Sequence, residues 1–590
     1  MKEFFKMFCA SLLSMVVAGI LMLILTISII VGVSKSVTEK EKKSGNILVI
    51  DLSNKIHEQG QTNAFAAFNK GNEYEPGLYD LGKAIAHAKN DESIKGILLK
   101  VGSTANGWAT MQQLRMSIED FKTSKKFIYA YGEEISQKCY FTATVADSIY
   151  LNPAGGIELK GFATILAYFK GALEKMELQP EIFYAGKFKS ATEPFRAEKI
   201  SDPNREQIQG FQSGMWDEFL KAASQYMQMS KEQVNELAQK GTIQFPSDAV
   251  KNKMVAGLLY WDEMESKLKT KIDPNGKEKI KYINIEEYAM NSKFDDKINS
   301  NKIAVLFAEG EIKDGEQNNE NEIASKTICE EIKKIRENDK IKALVLRVNS
   351  PGGSAYASEI ILRELLLLKA KKPLIVSMGD YAASGGYYIS SHADSIFALP
   401  NTITGSIGVF AMMFNIDKMM KNKLGVTFDE VKNAPYADLP ANFRPLSADE
   451  GKRVQNQIDT IYSLFKNHVA TGRHITADQV EEIAQGRVWT GTDAKKKGLA
   501  DDIGGIGRAI KSAATMAKLT EYKVVTYPEP TDKLSMILKK IKSNTNTSIA
   551  IQAALKEELG AQYDIYAQIK SLQEMNGKVL MTMPYILKVN

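Results

Sequence analysis

From Met7 to Val33 the chain carries no charged residue. At ~1.5 Å per helical residue that run exceeds the ~20 apolar positions needed to cross a bilayer. It is also longer than the ~7–15-residue apolar core of a cleaved signal peptide, so a retained N-terminal membrane anchor is predicted. Lysines flank both ends, Lys2 and Lys6 before and Lys35, Lys40, Lys42 and Lys43 after, so flanking charge does not set its orientation. Beyond the anchor the apolar runs are short. Ile47–Leu52, Ile97–Val101, Ile303–Phe307, Leu344–Val348 and Pro373–Met378 are rich in β-branched residues and read as buried strands. Met111–Phe121 and Ala357–Lys369 carry apolar residues at helical spacing. Strands alternating with amphipathic helices predict an α/β fold with parallel sheets built from βαβ crossovers.

The pattern is written twice. Ile94–Val101 parallels Ile341–Val348, and Ala146–Ile149 parallels Ala393–Ile396, each 247 residues apart. Gln233–Gln239 parallels Gln479–Gln485 at a separation of 246. A near-constant offset across separated matches marks a tandem duplication. The chain divides accordingly into residues 1–44 (anchor and flanks), 45–266 (first repeat), 267–301 (connector), 302–530 (second repeat) and 531–590 (a tail to which nothing specific is assigned). The connector is lysine-rich around Asp273-Pro274-Asn275-Gly276 and reads as a solvated linker with a turn.

Composition removes several classes of function. A net charge of +5 over 590 residues, with no arginine-rich stripe, gives no support to nucleic-acid binding. Cys9, Cys139 and Cys329 form neither a disulfide framework nor a CxxC pair. The five histidines are scattered without ligand spacing, so no metal and no cofactor is expected.

The candidate chemistry centres on Ser384. The stretch Val376–Gly386 runs from an apolar strand into Ala382-Ala383-Ser384-Gly385-Gly386, after which Tyr387-Tyr388-Ile389 opens a helical pattern. A serine on a tight strand-to-helix turn pushes its hydroxyl outward, and the N–H of the next residue points at what that hydroxyl attacks. The same stretch also reads as a plain packing turn. Comparing the repeats separates the two readings. Ser384 corresponds to Gln137, and Asn349-Ser350-Pro351-Gly352-Gly353 to Gly102-Ser103-Thr104-Ala105-Asn106. Only the second repeat holds both the serine and a Pro-Gly-Gly turn able to present backbone N–H groups to an oxyanion.

A nucleophilic serine needs a base. His392 lies eight residues on, about 12 Å along a helix at ~1.5 Å per residue and beyond hydrogen-bond reach; it reads as a helix-face or core histidine. A lysine is the remaining option, because Ser–Lys pairs are a variant of the catalytic triad, and such a lysine must be buried to be neutral. Composition does not choose among the lysines. One segment stands out, Tyr184–Phe195 with Lys187 and Lys189, following a strand-like run. Its counterpart around Asn433–Asp438 has no lysine. The first repeat therefore keeps a candidate base and the second a candidate nucleophile.

Several motifs in order resemble the signal peptide peptidases of the SppA (protease IV) family in their long, two-repeat bacterial form. They are Arg347–Ser354, Ala383–Tyr388, Thr404–Val409, Lys189–Phe195, and Gly486–Gly491 with Ala494 and Gly498–Asp501. The resemblance covers nearly the whole chain. It implies a tandem ClpP/crotonase-like (ββα superhelical) fold behind one transmembrane helix, and a serine endopeptidase with a Ser–Lys dyad. It also implies Ser384 as nucleophile, Lys189 as general base, Ser406 orienting the amine, and Gly353 and Gly385 as oxyanion donors. The expected substrates are cleaved signal peptides and other extended apolar peptides. The expected assembly is a homotetramer anchored in the lipid of the bacterial cytoplasmic membrane, with its catalytic part outside the cytoplasm. Ala355-Tyr356 depart from the family pattern beside the substrate groove. Two rival readings remain, a crotonase-type acyl-CoA enzyme and a catalytically inactive membrane scaffold.

Overall fold

The computed structural model describes residues 45–62, 74–273, 279–291, 299–317, 322–529 and 577–583. The predicted anchor lies outside the described residues, and among those no helix is long and apolar enough to cross a membrane.

Two parallel sheets share one strand order. The first runs Gly257–Leu258, Ser148–Ile157, Phe127–Ile135, Gly96–Val101, Ile47–Asp51, Tyr282–Asn284. The second runs Asp502–Ile503, Ser395–Ala398, Leu374–Ala383, Ile341–Ser350, Lys302–Glu309, Lys523–Tyr527. The sequence duplication is thus also a duplication of topology. Strands such as Ile341–Ser350 are buried on both faces, as parallel strands covered by crossover helices must be. The helix Ala355–Lys369 forms where the spacing predicts. Ser354 caps it by accepting the Ala357 N–H, and Ile361, Leu362, Leu365 and Leu368 line its buried stripe.

Three features differ from the sequence reading. The strand leading to Ser384 does not stop at Met378 but continues to Ala383. On one side it exchanges Ser395–Ala398 for Ile403–Gly405, while on the other Ala382 stays paired with Ser350 past a register shift, so Gly379 and Asp380 lie within a strand that changes partners. The connector is partly structured: Tyr282–Asn284 pairs with Ile47–Val49, and Ile283, Ile285 and Tyr288 are buried. An apolar residue at every second or third position anchors one face of a lysine-rich stretch that composition alone reads as solvated. The tail is not wholly without a place either. Its strand Val579–Thr582 is an interior member of a third, mixed sheet.

That third sheet joins the repeats. Its order is Glu322–Ala324, Glu311–Lys313, Gly352–Ser354, Val579–Thr582, Val409–Asn415, Gln179–Ala185. The last pair is antiparallel and couples a first-repeat strand to a second-repeat strand. A buried ion pair adds a second join. Glu58 accepts from Arg347 Nε at 2.9 Å and Nη2 at 3.0 Å, while Nη1 donates to Ser377 Oγ and the Met378 carbonyl. Asp380 supplies a third, accepting from the N–H groups of Ala109 and Thr110 at the start of helix Trp108–Lys122. The hydrophobic cores interlock in the same way: the first takes in Ala383, Ile403 and Val488, and the second takes in Ala185.

Candidate active site

Ser384 sits where the strand Leu374–Ala383 ends and the helix Gly385–Ser390 begins. Its N–H donates to the Gly405 carbonyl at 2.8 Å, and its own carbonyl accepts the Tyr388 N–H at 2.8 Å. Tied to a sheet on one side and a helix on the other, the residue adopts φ 57° and ψ −114°. Positive φ in a non-glycine residue is strained, and it is the signature of a nucleophile elbow. Glycine is required next door. A methyl group on Gly385 would meet Ser358 Oγ at 2.7 Å and both Gly352 Cα and Gly353 N at 3.2 Å. Gly353 and Gly385 therefore lie side by side at the turn. The neighbouring Gly352, at φ 103°, gives its N–H to Ser350 Oγ at 3.2 Å.

Lys189 reaches this turn from the first repeat. The strand Gln179–Ala185 pairs with Val409–Asn415 so that Ala185 faces Val409. Four residues beyond Ala185 comes Lys189, and three before Val409 comes Ser406. The ladder thus delivers both to one point. Lys189 Nζ lies 2.9 Å from Ser384 Oγ, 3.1 Å from Ser406 Oγ and 3.2 Å from the Ser406 carbonyl. All three residues are fully buried. Burial pushes the amine well below its ordinary value of 10.5, and no charged group among the described residues counteracts it. Ser406, at φ 51°, is itself pinned by its N–H donating to the Arg487 carbonyl at 2.7 Å.

The corresponding position in the first repeat has different contents. The Gln137 amide is buried and turned inward, its Oε1 accepting from the N–H groups of Lys160 and Gly161 and its Nε2 donating to the Gly161 carbonyl. An amide satisfied by its own loop is neither nucleophile nor base. His392 lies past the end of the Ser384 helix and pairs with His468 at 3.1 Å. Burial, then His468, pushes it down to about 4.

Sequence reasoning missed what holds the lysine. Gln207 and Asn204, both buried on helix Asp202–Met227, bond to the loop that carries it. Two polar residues three apart on a long helix carry no signal of that role. The tail strand was missed as well. It lies between Gly352–Ser354 and Val409–Asn415, antiparallel to both, with Met581 opposite Gly353.

A serine hydroxyl on a strained elbow, a glycine pair beside it and a duplicated α/β scaffold define a serine hydrolase with a ClpP-like domain. The model of the Clp protease family matches residues 295–404. The chain belongs to peptidase family S49, whose model matches twice, at residues 120–273 and 367–520, the same 247-residue offset seen in the sequence. It is 34% identical to Protease 4 of Salmonella typhi over 88% of this chain and 87% of that protein. It is 36% identical to Protease 4 of Haemophilus influenzae over 74% of this chain and 72% of that one. A chloroplastic serine protease, SPPA of Arabidopsis thaliana, is 31% identical over 87% of this chain and 75% of its own length. The chain is accordingly a serine protease.

Proposed function

We propose that this serine protease works by a Ser–Lys dyad shared between its repeats, and that it cleaves extended, apolar peptides, released signal peptides among them. The observation that carries the reading is the 2.9 Å approach of Lys189 Nζ to Ser384 Oγ, in a pocket dry enough to favour the neutral amine. The neutral amine gives its two N–H groups to Ser406 Oγ and the Ser406 carbonyl and turns its lone pair to the serine. Ser384 Oγ attacks the scissile carbonyl carbon while its proton passes to Lys189 Nζ. The carbonyl oxygen, now an oxyanion, is received by the N–H groups of Gly385 and Gly353. Collapse of the adduct breaks the C–N bond, and Lys189 returns the proton to the leaving amine. Water, deprotonated by the same amine, then hydrolyses the acyl-enzyme.

The substrate lies where the tail strand lies now. Strands in a sheet are spaced ~4.8 Å apart, so removing Val579–Thr582 from between its two neighbours leaves a slot one strand wide beside Ser384. An extended peptide fills such a slot by main-chain hydrogen bonds, its side chains falling alternately into pockets. Anchoring through residues 7–33, an extracytoplasmic catalytic part and a homotetramer complete the proposal; they rest on the sequence resemblance.

The test is labelling of the full chain by a serine-directed fluorophosphonate, with peptide cleavage followed in parallel. Label on the intact protein, lost in Ser384→Ala and slowed at neutral pH in Lys189→Ala, is expected. Unchanged labelling and cleavage in Lys189→Ala overturns the dyad.

A further inference from the structure

A lysine base is hard to aim. Its stem has four rotatable carbons, and here no carboxylate fixes the amine. What fixes the stem of Lys189 is its two neighbours in the chain, and one buried side chain holds both. Gln207 Nε2 donates to the Phe188 carbonyl at 3.0 Å and to Ser190 Oγ at 2.9 Å. The same amide reaches across the repeat boundary, its Oε1 accepting the Val488 N–H at 3.3 Å. Val488 in turn lies opposite Gly405 in the strand pair that backs the site. The Gly405 carbonyl holds Ser384, and the Arg487 carbonyl, one residue before Val488, holds Ser406.

We infer that Gln207 is a positioning residue for the reaction: one amide that ties the loop bearing the base to the strand backing the nucleophile and Ser406. The inference rests on the Ser–Lys reading above. The mount is rigid. Helix Asp202–Met227 starts at a Ser201 cap with a proline in its first turn, and Asn204, one turn before Gln207, accepts from Ser190 Oγ. On the opposite side the Phe188 N–H donates to the Gln485 carbonyl, and a methyl on Gly486 would meet Lys189 Cβ at 2.7 Å. The lysine is thus gripped between helix and loop.

Leucine at 207 keeps the volume and removes every one of these bonds. Freed, the loop lets water reach the amine, which raises its pKa toward the ordinary value and leaves less neutral base at neutral pH. A misplacement of about 1 Å costs up to ~100-fold in rate, so Q207L should lose roughly ten- to a hundred-fold in kcat with KM little changed. Its acid limb in kcat/KM should move to higher pH. The control is Q112L. Gln112 is also buried and also bridges the repeats, accepting the Asn401 N–H at 3.1 Å, but it does not touch the lysine loop. Q112L should share any fall in Tm and keep the wild-type kcat and pH profile. Q207E puts a carboxylate beside the same loop and should move the acid limb upward too, giving the same readout if Q207L does not fold. A Q207L or Q207E profile that overlays wild type, or a Q112L profile displaced like theirs, overturns the inference while leaving the dyad standing if K189A is inactive. A K189A protein that still cleaves overturns both.

Discussion

Ala185 stands opposite Val409 in an antiparallel ladder of seven residue pairs, one strand from each repeat. That pairing makes one site from two incomplete ones. It fixes how far Lys189 and Ser406 extend past the strand ends, and so fixes the triangle they form with Ser384. A slip of one residue would turn every side chain of the slipped strand to the opposite face and carry the amine out of reach.

In the proposed dyad nucleophile and base act as a unit, so their losses should not add. Ser384→Ala and Lys189→Ala should each lower kcat by at least about 10³-fold, and the double variant should be no slower than the worse single one. Steady-state cleavage of a fluorogenic peptide reads all three. A double variant slower by the product of the single losses would mean that the two side chains work independently.

The buried amine also predicts how stability follows pH. The unfolded chain binds a proton at Lys189 below pH 10.5, whereas the folded chain stays neutral there down to its own, depressed value. Within that window the unfolded state holds more protons, so stability rises with pH and falls as pH is lowered, by about 1.4 kcal/mol per unit. Lys189→Met removes the term. Denaturant unfolding of the two proteins between pH 10 and 7 should therefore show the difference moving in favour of the variant as pH falls. Parallel curves would mean that the amine stays protonated in the folded protein.

Glu58 and Arg347 pair across the repeats with almost no exposure to solvent. Deleting one partner strands a buried charge, at a cost of about 3–5 kcal/mol. Glu58→Ala should therefore lower the unfolding free energy by that order, and Glu58→Leu with Arg347→Met should recover most of it. Measured by urea unfolding, a single variant within about 0.5 kcal/mol of wild type would be the loss typical of an unspecialised surface site and would remove this join from the account.

In the proposed reading the tail strand and the substrate compete for one slot, between Gly352–Ser354 and Val409–Asn415. Deleting residues 577–590 should lower KM for a short extended peptide several-fold, and added peptide GKVLMTM should restore the higher value. If deletion leaves KM unchanged, the slot is not the substrate's place.

Much of this was legible in the sequence because both repeats are present in it. The offset pairs Ser384 with Gln137, and the structure shows the Gln137 amide consumed by its own loop. Ser384 was legible because an elbow needs small residues in a row, and Gly385 and Gly386 supply them. Lys189 was named there through the family resemblance; its approach to Ser384 depends on the long-range register of Gln179–Ala185 against Val409–Asn415, and hydrophobic alternation constrains which face a strand buries, not its partner. The Gln207 tether and the tail strand were hidden for a similar reason. Their neighbours are remote in sequence, and nothing in their local pattern differs from an ordinary helix interior or a short apolar run.

Val579–Thr582 belongs to the same polypeptide as the slot it fills. Its local concentration is therefore set by the length of chain behind it, and dilution does not release it. A free inhibitor would lose its hold as the enzyme became scarce; a tethered strand competes equally well on a sparse surface and a crowded one. If that slot is the substrate's, peptides too short to match its main-chain pairing would be turned away at any enzyme density, which would give the cleft a threshold as well as a preference.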